Sequence, residues 1–297
     1  MSPQQALKVQ LLVIDPQNDF CDLPEGWLPP DPLHADARTQ SGIQPALPVA
    51  GAHADMQRLA GFVREAGAAL DAITLTLDSH HRVGIERPTF WRKGDGGAVD
   101  PFTTITAADV RTGRFAPRHP AHRERVLAYL DTLEAAGRYT LMVWPVHCEI
   151  GTWGYAVHAG LQAAYNEWEV ARGTQVHKVL KGSNPWTEHY SALMAEVPDP
   201  ADPHTQLNRA LVGRLAAADL LIVAGEAGSH CVKATVEHYV QQVPAALASR
   251  IVLLTDCISP VGGFEAQYRK FLDDMRARGV RVASSQEIRA ELRARAA

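Results

Sequence analysis

The feature that most constrains this chain is the alternation of short, β-branched apolar runs with longer amphipathic stretches. The runs predicted to be strands are Val9–Ile14, Ala72–Leu77, Tyr139–Trp144, Val176–Leu180, Leu220–Ala224, Ile251–Thr255 and Val280–Ala283. The stretches predicted to be helices are about Ala50–Ala66, Ala121–Ala136, Tyr155–Val170, Leu207–Ala217, Val232–Val243 and Phe264–Arg278. Strands that alternate with helices are typical of an α/β protein, in which helices cover a parallel sheet.

Length and composition allow this sheet a large core. The chain has 297 residues, of which 46% are hydrophobic, and a chain of this size can bury enough apolar surface without disulfides or a structural metal. The four cysteines are widely spaced and form no CxxC pair: Cys21, Cys148, Cys231 and Cys257. This spacing predicts neither a disulfide framework nor a zinc ribbon.

Charge and hydropathy exclude several classes of partner. The net charge is −4 and the isoelectric point is near 6.3, which gives no general attraction to nucleic acid or anionic lipid. The first eight residues lack the basic-then-apolar order of a signal peptide, and no apolar run approaches the ~20 residues of a membrane span. We therefore expect a soluble, cytoplasmic protein without nucleic-acid or membrane partners.

Two irregular regions interrupt the alternation. Asp22–Pro48 contains six prolines, and His81–Pro120 is rich in glycine and proline. Loops of this length are uncommon in compact domains and often form lids or binding loops. Because strands of the same character lie on both sides of each region, neither is predicted to be a linker, and residues 1–297 are predicted to form one domain.

Polar side chains follow the carboxyl ends of several predicted strands, where open α/β sheets bind their ligands. They are Asp15 after the first run, Asp78 and His80 after the second, His147 after the third, Lys181 after the fourth and Cys231 after the fifth. One edge of the sheet is thus expected to gather two carboxylates, histidines, a lysine and a cysteine. This convergence indicates an active site more strongly than any single motif.

Cys231 is the candidate nucleophile. It lies just before a predicted helix, and the positive end of the helix dipole, together with a nearby lysine, lowers the pKa of a thiol. Gly225 and Gly228 permit a tight turn that can aim backbone N–H groups at an oxyanion. The alternative is that Cys231 is a buried small apolar residue, which is the commonest fate of a cysteine.

Asp15 and Lys181 indicate a catalytic site only in combination with a thiol. Alone, Asp15 could cap the turn after its strand, and Lys181 could be a surface charge. Beside a thiol, a carboxylate can take the proton and later give it to a leaving amine. A lysine next to that carboxylate keeps it ionised and oriented.

Asp78, His80 and His147 are candidate metal ligands. A carboxylate with two imidazoles suits zinc, iron or manganese and leaves positions open for water or substrate. The Asp-x-His pair alone is a weak signal, and His147 strengthens it.

Five motifs occur along the chain in a fixed order. They are Ile14–Cys21, Asp78–His80, Trp144–Cys148, Lys181–Gly182 with Tyr190–Ala192, and Gly225 with Cys231–Thr235. In this order they resemble the motifs of nicotinamidases, within the isochorismatase-like cysteine hydrolase superfamily. The resemblance covers about Leu11–Ile258. It implies a three-layer α/β/α fold with a central, mostly parallel six-stranded sheet, and a homodimer or homotetramer.

The resemblance also implies roles for individual residues. Cys231 is the nucleophile, Asp15 the general acid and base, and Lys181 the residue that orients them. A cis peptide is expected at Glu226–Ala227, so that the N–H groups of Ala227 and Cys231 form the oxyanion hole.

The pocket and the metal follow from the same resemblance. Phe20 and Trp144 match the aromatic residues that flank the nicotinamide ring. Asp78, His80 and His147 match the ligands of one divalent metal ion, zinc with iron or manganese as alternatives, that contacts the pyridine nitrogen. Isochorismatases and carbamoyl-cleaving relatives generally lack this ligand set, so its presence favours a nicotinamidase-like amidase.

The chain departs from the family pattern in a long insertion at about residues 82–138. It starts beside the proposed metal ligands and is expected to roof the pocket. Within it, Phe90, Trp91 and Arg92 could line a pocket for a larger or acidic substrate. A fourth metal ligand, which some relatives have, could be His81 or Glu86, although both could equally be exposed loop residues.

The predicted function is hydrolysis of a small carboxamide, such as nicotinamide to nicotinate and ammonia, through a thioester on Cys231. One alternative is a hydrolase of a different amide, carbamoyl or ureido substrate on the same scaffold. Another is a catalytically silent binding protein, which the retained triad and metal ligands argue against. A redox-sensing cysteine protein lacks an obvious resolving cysteine in the sequence.

Overall fold

The computed structural model describes residues 7–31 and 42–296, which contain ten strands, eight α-helices and several short 3-10 helices. The strands are β1 (Val9–Ile14), β2 (Ala72–Asp78), β3 (Trp91–Lys93), β4 (Thr103–Ile105), β5 (Phe115–Pro117), β6 (Leu141–Val143), β7 (His177–Lys181), β8 (Leu220–Gly225), β9 (Ile251–Leu254) and β10 (Arg281–Ala283). The helices are α1 (Ala52–Ala66), α2 (Ala107–Thr112), α3 (Arg123–Ala136), α4 (Ala159–Arg172), α5 (Arg209–Ala216), α6 (Cys231–Gln242), α7 (Glu265–Ala277) and α8 (Ser285–Ala296). Residues 32–41, in the first irregular region, lie outside the described residues.

Six strands form the central sheet, in the order β10-β9-β8-β1-β2-β7. All five neighbouring pairs are parallel, and β1 is fully buried between β2 and β8. The chain proceeds from β1 toward β7 on one side and from β8 toward β10 on the other. The direction of winding therefore reverses between β1 and β8, and in an open α/β sheet such a reversal opens a crevice at the carboxyl ends of the two strands.

Helices cover the sheet in the way that this topology requires. α1 packs against α4 and α8, whereas α6 packs against α7. Because parallel crossovers are right-handed, the helices that lead toward β7 lie on the face opposite those that lead toward β10. The predicted three-layer α/β/α fold with a six-stranded parallel sheet is confirmed.

The predicted place of Tyr139–Trp144 in the central sheet is wrong. Only Leu141–Val143 is extended, and this strand, β6, pairs antiparallel with β4 in a separate two-stranded sheet. The run is apolar because Leu141 and Val143 are buried against the insertion. An apolar run of this length indicates a buried strand but not the sheet to which the strand belongs.

The insertion builds a hydrophobic cluster of its own. Its buried members are Ile85, Phe90, Trp91, Val99, Ile105, Ala107, Val110, Phe115, Val126, Tyr129, Leu130 and Leu133, joined by Leu141 and Val143. Trp91 is completely buried, and its indole N–H donates to the Ile85 carbonyl over 2.7 Å. The insertion is thus a packed unit with a short helix, α2, that the sequence patterns did not predict.

No helix in the described ranges is both long and apolar enough to cross a membrane.

Candidate active site

Asp15 is the first residue after β1, at the strand end where the winding of the sheet reverses. Its backbone has a φ of 43°, a left-handed conformation that turns the chain sharply. Thr76 on the neighbouring strand holds its carboxylate, because the Thr76 hydroxyl donates to Asp15 Oδ1 over 2.5 Å. The Asp15 side chain is completely buried.

Lys181 ends β7, and its ammonium group lies at the centre of the site. Lys181 Nζ is 2.9 Å from Asp15 Oδ2 and 2.8 Å from Asp78 Oδ1. It also donates to the His189 carbonyl over 3.0 Å and lies 3.6 Å from Cys231 Sγ. The next residue, Gly182, has a φ of 90°, and a Cβ there would come within 2.8 Å of the His80 ring, so the turn requires glycine.

Cys231 is the first residue of α6 and follows a tight turn from β8. Gly225 permits this turn, because it has a φ of 114° and a Cβ there would lie 2.0 Å from the Ile14 carbonyl oxygen. The cis peptide expected at Glu226–Ala227 is present. Within the described chain, the N–H groups of Ala227 and Cys231 donate no hydrogen bond. Neither group is therefore engaged by another described residue, and their role as an oxyanion hole stays a prediction.

The expectation that the pKa of Cys231 is lowered is wrong for this structure. Burial raises the pKa of the thiol well above its usual value, and the Lys181 ammonium only partly opposes this. Burial also raises the pKa of the Asp15 carboxyl, again against the effect of Lys181. The buried site thus favours the protonated thiol, so a base is needed to activate it.

Asp78, His80 and His147 come together beside Lys181. One ligand atom of each lies within 4.8 Å of those of the others, and all three residues are buried. Asp78 Oδ2 is 2.8 Å from His80 Nε2 and 3.2 Å from His147 Nε2. His147 reaches this position from the loop after β6, where a single bridge between His80 and Glu149 aligns the two chain segments.

The donor set fits a divalent metal ion. Both ring nitrogens of His80 face carboxylates, because His80 Nδ1 lies 3.2 Å from Glu86 Oε1. Burial and Arg87 disfavour the imidazolium, yet Asp78 and Glu86 outweigh them and raise the pKa of His80 to about 9. Burial and Arg87 lower the pKa of His147 to about 4, which leaves a neutral imidazole. The Nε2 atoms of His80 and His147 both lie beside Asp78 Oδ2, so one carboxylate oxygen and two imidazole nitrogens converge on the place that a metal ion would occupy.

The two candidates for a fourth ligand have different positions. Glu86 is buried and faces His80 Nδ1, away from the atoms that converge on Asp78 Oδ2. It can therefore orient His80 through the nitrogen that a metal leaves free. His81 is exposed to solvent, which agrees with its reading as a loop residue.

A narrow pocket connects the Cys231 thiol with two of the candidate metal ligands, Asp78 and His147. Its cavity volume is about 30 Å³, far below the roughly 300–1,000 Å³ of typical ligand sites. It is lined by Phe20, Leu47, Asp78, Trp144, His147, Lys181, Glu188, Tyr190, Ala227, His230, Cys231 and Val261. Phe20 and Trp144 are thus placed in the pocket wall, and the Trp144 indole N–H donates to the Tyr190 hydroxyl over 3.0 Å.

The insertion lies outside the wall of this pocket. No residue of 82–138 lines it, so the expectation that the insertion roofs the pocket is wrong. Phe90 and Trp91 face the cluster inside the insertion, and Arg92 is also absent from the pocket wall. Their aromatic character suits a ligand site, but it suits a small hydrophobic core equally well.

Sequence reasoning missed two groups of the site. Arg87 is completely buried and donates to the carbonyls of Pro145 (2.6 Å) and His147 (3.2 Å), so it fixes the loop that carries a candidate metal ligand. Nothing in the sequence distinguishes this arginine from a surface arginine. Glu188 lines the pocket, and its position between Lys181 and the Tyr190–Ala192 motif could have identified it.

The fold is shared with solved nicotinamidases and pyrazinamidases. A nicotinamidase/pyrazinamidase from Acinetobacter baumannii has a TM-score of 0.60 and 20% identity, over 96% of this chain and 100% of that one. The yeast nicotinamidase bound to the inhibitor nicotinaldehyde has a TM-score of 0.57 and 19% identity, over 93% and 99%. A Pyrococcus horikoshii pyrazinamidase in complex with zinc has a TM-score of 0.50 and 16% identity, over 93% and 99%. No protein-family model and no curated protein sequence matches the chain.

Proposed function

We propose that the protein is a metal-containing cysteine amidohydrolase that converts a small planar carboxamide, nicotinamide or a close analogue, to the acid and ammonia. One observation carries the proposal: the buried Lys181 ammonium lies 2.9 Å from the Asp15 carboxylate and 3.6 Å from the Cys231 thiol. The proposal is also supported by the names of the similar solved structures, which are nicotinamidases and pyrazinamidases.

The first step activates the nucleophile. Asp15 takes the proton from Cys231, and the thiolate attacks the carboxamide carbon. Burial raises the pKa of both the Asp15 carboxyl and the Cys231 thiol. A base with a raised pKa takes a proton from a thiol more readily than an ordinary carboxylate does. Lys181 stays charged, since Asp15 and Asp78 outweigh its burial and raise its pKa well above the usual value, and it stabilises the thiolate as it forms.

The second step stabilises the tetrahedral intermediate and expels ammonia. The N–H groups of Ala227 and Cys231 bind the oxyanion, and each well-placed donor of this kind contributes roughly 3–4 kcal/mol. Asp15 returns its proton to the departing nitrogen and leaves an acyl thioester on Cys231. Asp15 then takes a proton from a water molecule that cleaves the thioester and restores the thiol.

Phe20 and Trp144 provide aromatic walls for a planar ring in this pocket. Asp78, His80 and His147 would hold a metal ion, which would supply Lewis-acid chemistry at a ring nitrogen of the substrate. The zinc in the pyrazinamidase complex supports zinc as this ion. The cytoplasmic location and the homodimeric or homotetrameric state stay predictions.

Trapping of the acyl intermediate tests the proposal. Acid quenching during turnover, followed by intact-mass and peptide mass spectrometry, is expected to find the acyl group of the substrate on Cys231. Cys257 is a matched control, because it is also a buried cysteine but lies outside the pocket. Turnover with no adduct on Cys231, under conditions that trap acyl thioesters of other cysteine hydrolases, would argue against a covalent mechanism.

A further inference from the structure

Glu188 is a buried acid that the mechanism above does not use. It lies in the segment after β7, and only 5% of the residue is exposed. Its backbone N–H donates to the Tyr129 hydroxyl over 3.2 Å, and its carboxylate oxygen Oε1 accepts the His189 N–H over 2.8 Å. The backbone and one carboxylate oxygen are therefore fixed by the protein.

The second carboxylate oxygen has no such partner. Within the described ranges no group makes a hydrogen bond to Glu188 Oε2, although this atom is shielded from solvent. Glu188 lines the same pocket as Cys231 and the proposed metal ligands. A buried acceptor without a donor is costly, by roughly 1–3 kcal/mol or more when it is charged, so the structure favours an occupant that supplies the donor.

The other acid of the pocket wall is already engaged. Asp78 is bound to Lys181, and the Tyr190 hydroxyl accepts the Trp144 indole N–H. Among the acids of the pocket wall, Glu188 is thus the one with a carboxylate oxygen, Oε2, available to accept a hydrogen bond from a substrate.

We propose that Glu188 is the specificity-determining residue of the site, and that it selects a small planar carboxamide with an additional N–H or O–H donor on its ring. This inference rests on the proposed amidohydrolase function and narrows its substrate class. A site built to bind a donor discriminates strongly against an analogue without one, because that analogue leaves the buried acceptor unpaired.

The same contacts give the insertion a role in specificity. Tyr129 belongs to α3 of the insertion and binds the Glu188 backbone. Trp186, two residues earlier, packs edge-to-face on Phe90 at 5.9 Å, and the Arg125 guanidinium lies 4.0 Å from its ring centre. The insertion therefore holds the segment that carries Glu188 in position through these contacts. It can influence substrate choice in this way without lining the pocket.

The test compares nicotinamide with each of its ring-amino derivatives as substrates of the full-length, metal-replete protein. Wild-type protein is expected to have a kcat/KM roughly 10- to 100-fold higher for at least one amino derivative than for nicotinamide, which corresponds to one hydrogen bond to a charged group. Glu188→Met is expected to abolish this preference, and Glu188→Gln to reduce it, because an amide oxygen is a weaker acceptor than a carboxylate.

Two further variants separate specificity from structural damage. Glu196→Gln removes another buried carboxyl group that lies outside the pocket, and it is expected to leave the preference unchanged. Tyr129→Phe removes the hydroxyl that holds the Glu188 backbone, and it is expected to weaken the preference without changing the pocket wall.

Binding to Cys231→Ala protein, measured by calorimetry, gives a readout that does not need turnover. The preferred amino derivative is expected to bind more tightly than nicotinamide, and Glu188→Met in this background to equalise the two. Equal kcat/KM values for all the amides in the wild type, or a preference that persists in Glu188→Met, would overturn the role of Glu188 and leave the amidohydrolase intact. A protein that neither binds nor hydrolyses any of the amides would instead reject the proposed function.

Discussion

Lys181 Nζ lies between two buried carboxylates, 2.9 Å from Asp15 Oδ2 and 2.8 Å from Asp78 Oδ1. Asp15 belongs to the proposed catalytic triad, and Asp78 belongs to the proposed metal site. One ammonium group therefore links the acid–base machinery to the proposed metal ligands, and it compensates the charge of both buried carboxylates.

Replacement of Lys181 by methionine is expected to destabilise the protein by about 3–5 kcal/mol, because it leaves buried carboxylates without their counter-ion. Urea unfolding of the two proteins measures the difference. Lys178→Met is the matched control on the same strand, since Lys178 is exposed, and its effect is expected to stay within about 0.5 kcal/mol. A Lys181→Met protein as stable as the wild type would show that Asp15 and Asp78 do not depend on this lysine.

The metal site is expected to depend on His80 and not on the adjacent His81. His80→Ala removes one of three buried ligands, whereas His81 is exposed and outside the cluster. Elemental analysis after dialysis is expected to find about one metal ion per chain in the wild type and in His81→Ala, and a large loss in His80→Ala and His147→Ala. Equal metal content in all four proteins would remove the proposed site.

Glu226 is expected to make stability depend on pH. Burial and the neighbouring Asp55 raise its pKa well above the usual value, while its Oε2 accepts the Ser259 N–H over 3.2 Å. Because the folded pKa exceeds the unfolded one, the folded state retains a proton that the unfolded state loses, and this contribution to stability declines as pH rises above about 4.5. The decline approaches about 1.4 kcal/mol per pH unit for one proton.

Glu226→Gln cannot ionise and is expected to remove this decline. Urea unfolding at about pH 5.5 and pH 8.5 should therefore show the variant gaining stability relative to the wild type as pH rises. A constant difference between the two proteins across this range would mean that Glu226 ionises with an ordinary pKa.

The sequence predicted the central sheet well because each strand of it is a short apolar run next to an amphipathic helix. β1 was predicted at its observed bounds, and its ends matter most because Asp15 follows it directly. Tyr139–Trp144 was wrongly assigned to the central sheet because its apolar pattern indicates only that the strand is buried. A strand buried against the insertion has the same apolar pattern as a strand buried in the sheet. The short helix α2 was missed because six residues give too little periodicity to detect.

The candidate site divides in a similar way. Asp15, Asp78, Lys181 and Cys231 could be predicted because the carboxyl ends of parallel strands meet at one edge. The direction of the Cys231 pKa could not, since it depends on how completely the thiol is buried. Arg87 acts through distant contacts that leave no local pattern in the sequence.

Ammonia release by the metal-replete protein from nicotinamide and its ring-amino derivatives, with Cys231→Ala as the blank, tests the central claim most directly. Cys231→Ala removes the proposed nucleophile from the first turn of α6 without adding bulk, so the fold is expected to persist, as circular dichroism can verify. The account predicts ammonia release that falls at least about 10³-fold in Cys231→Ala. Undiminished release by the folded variant, or no release from any of these amides by the wild type, would contradict it.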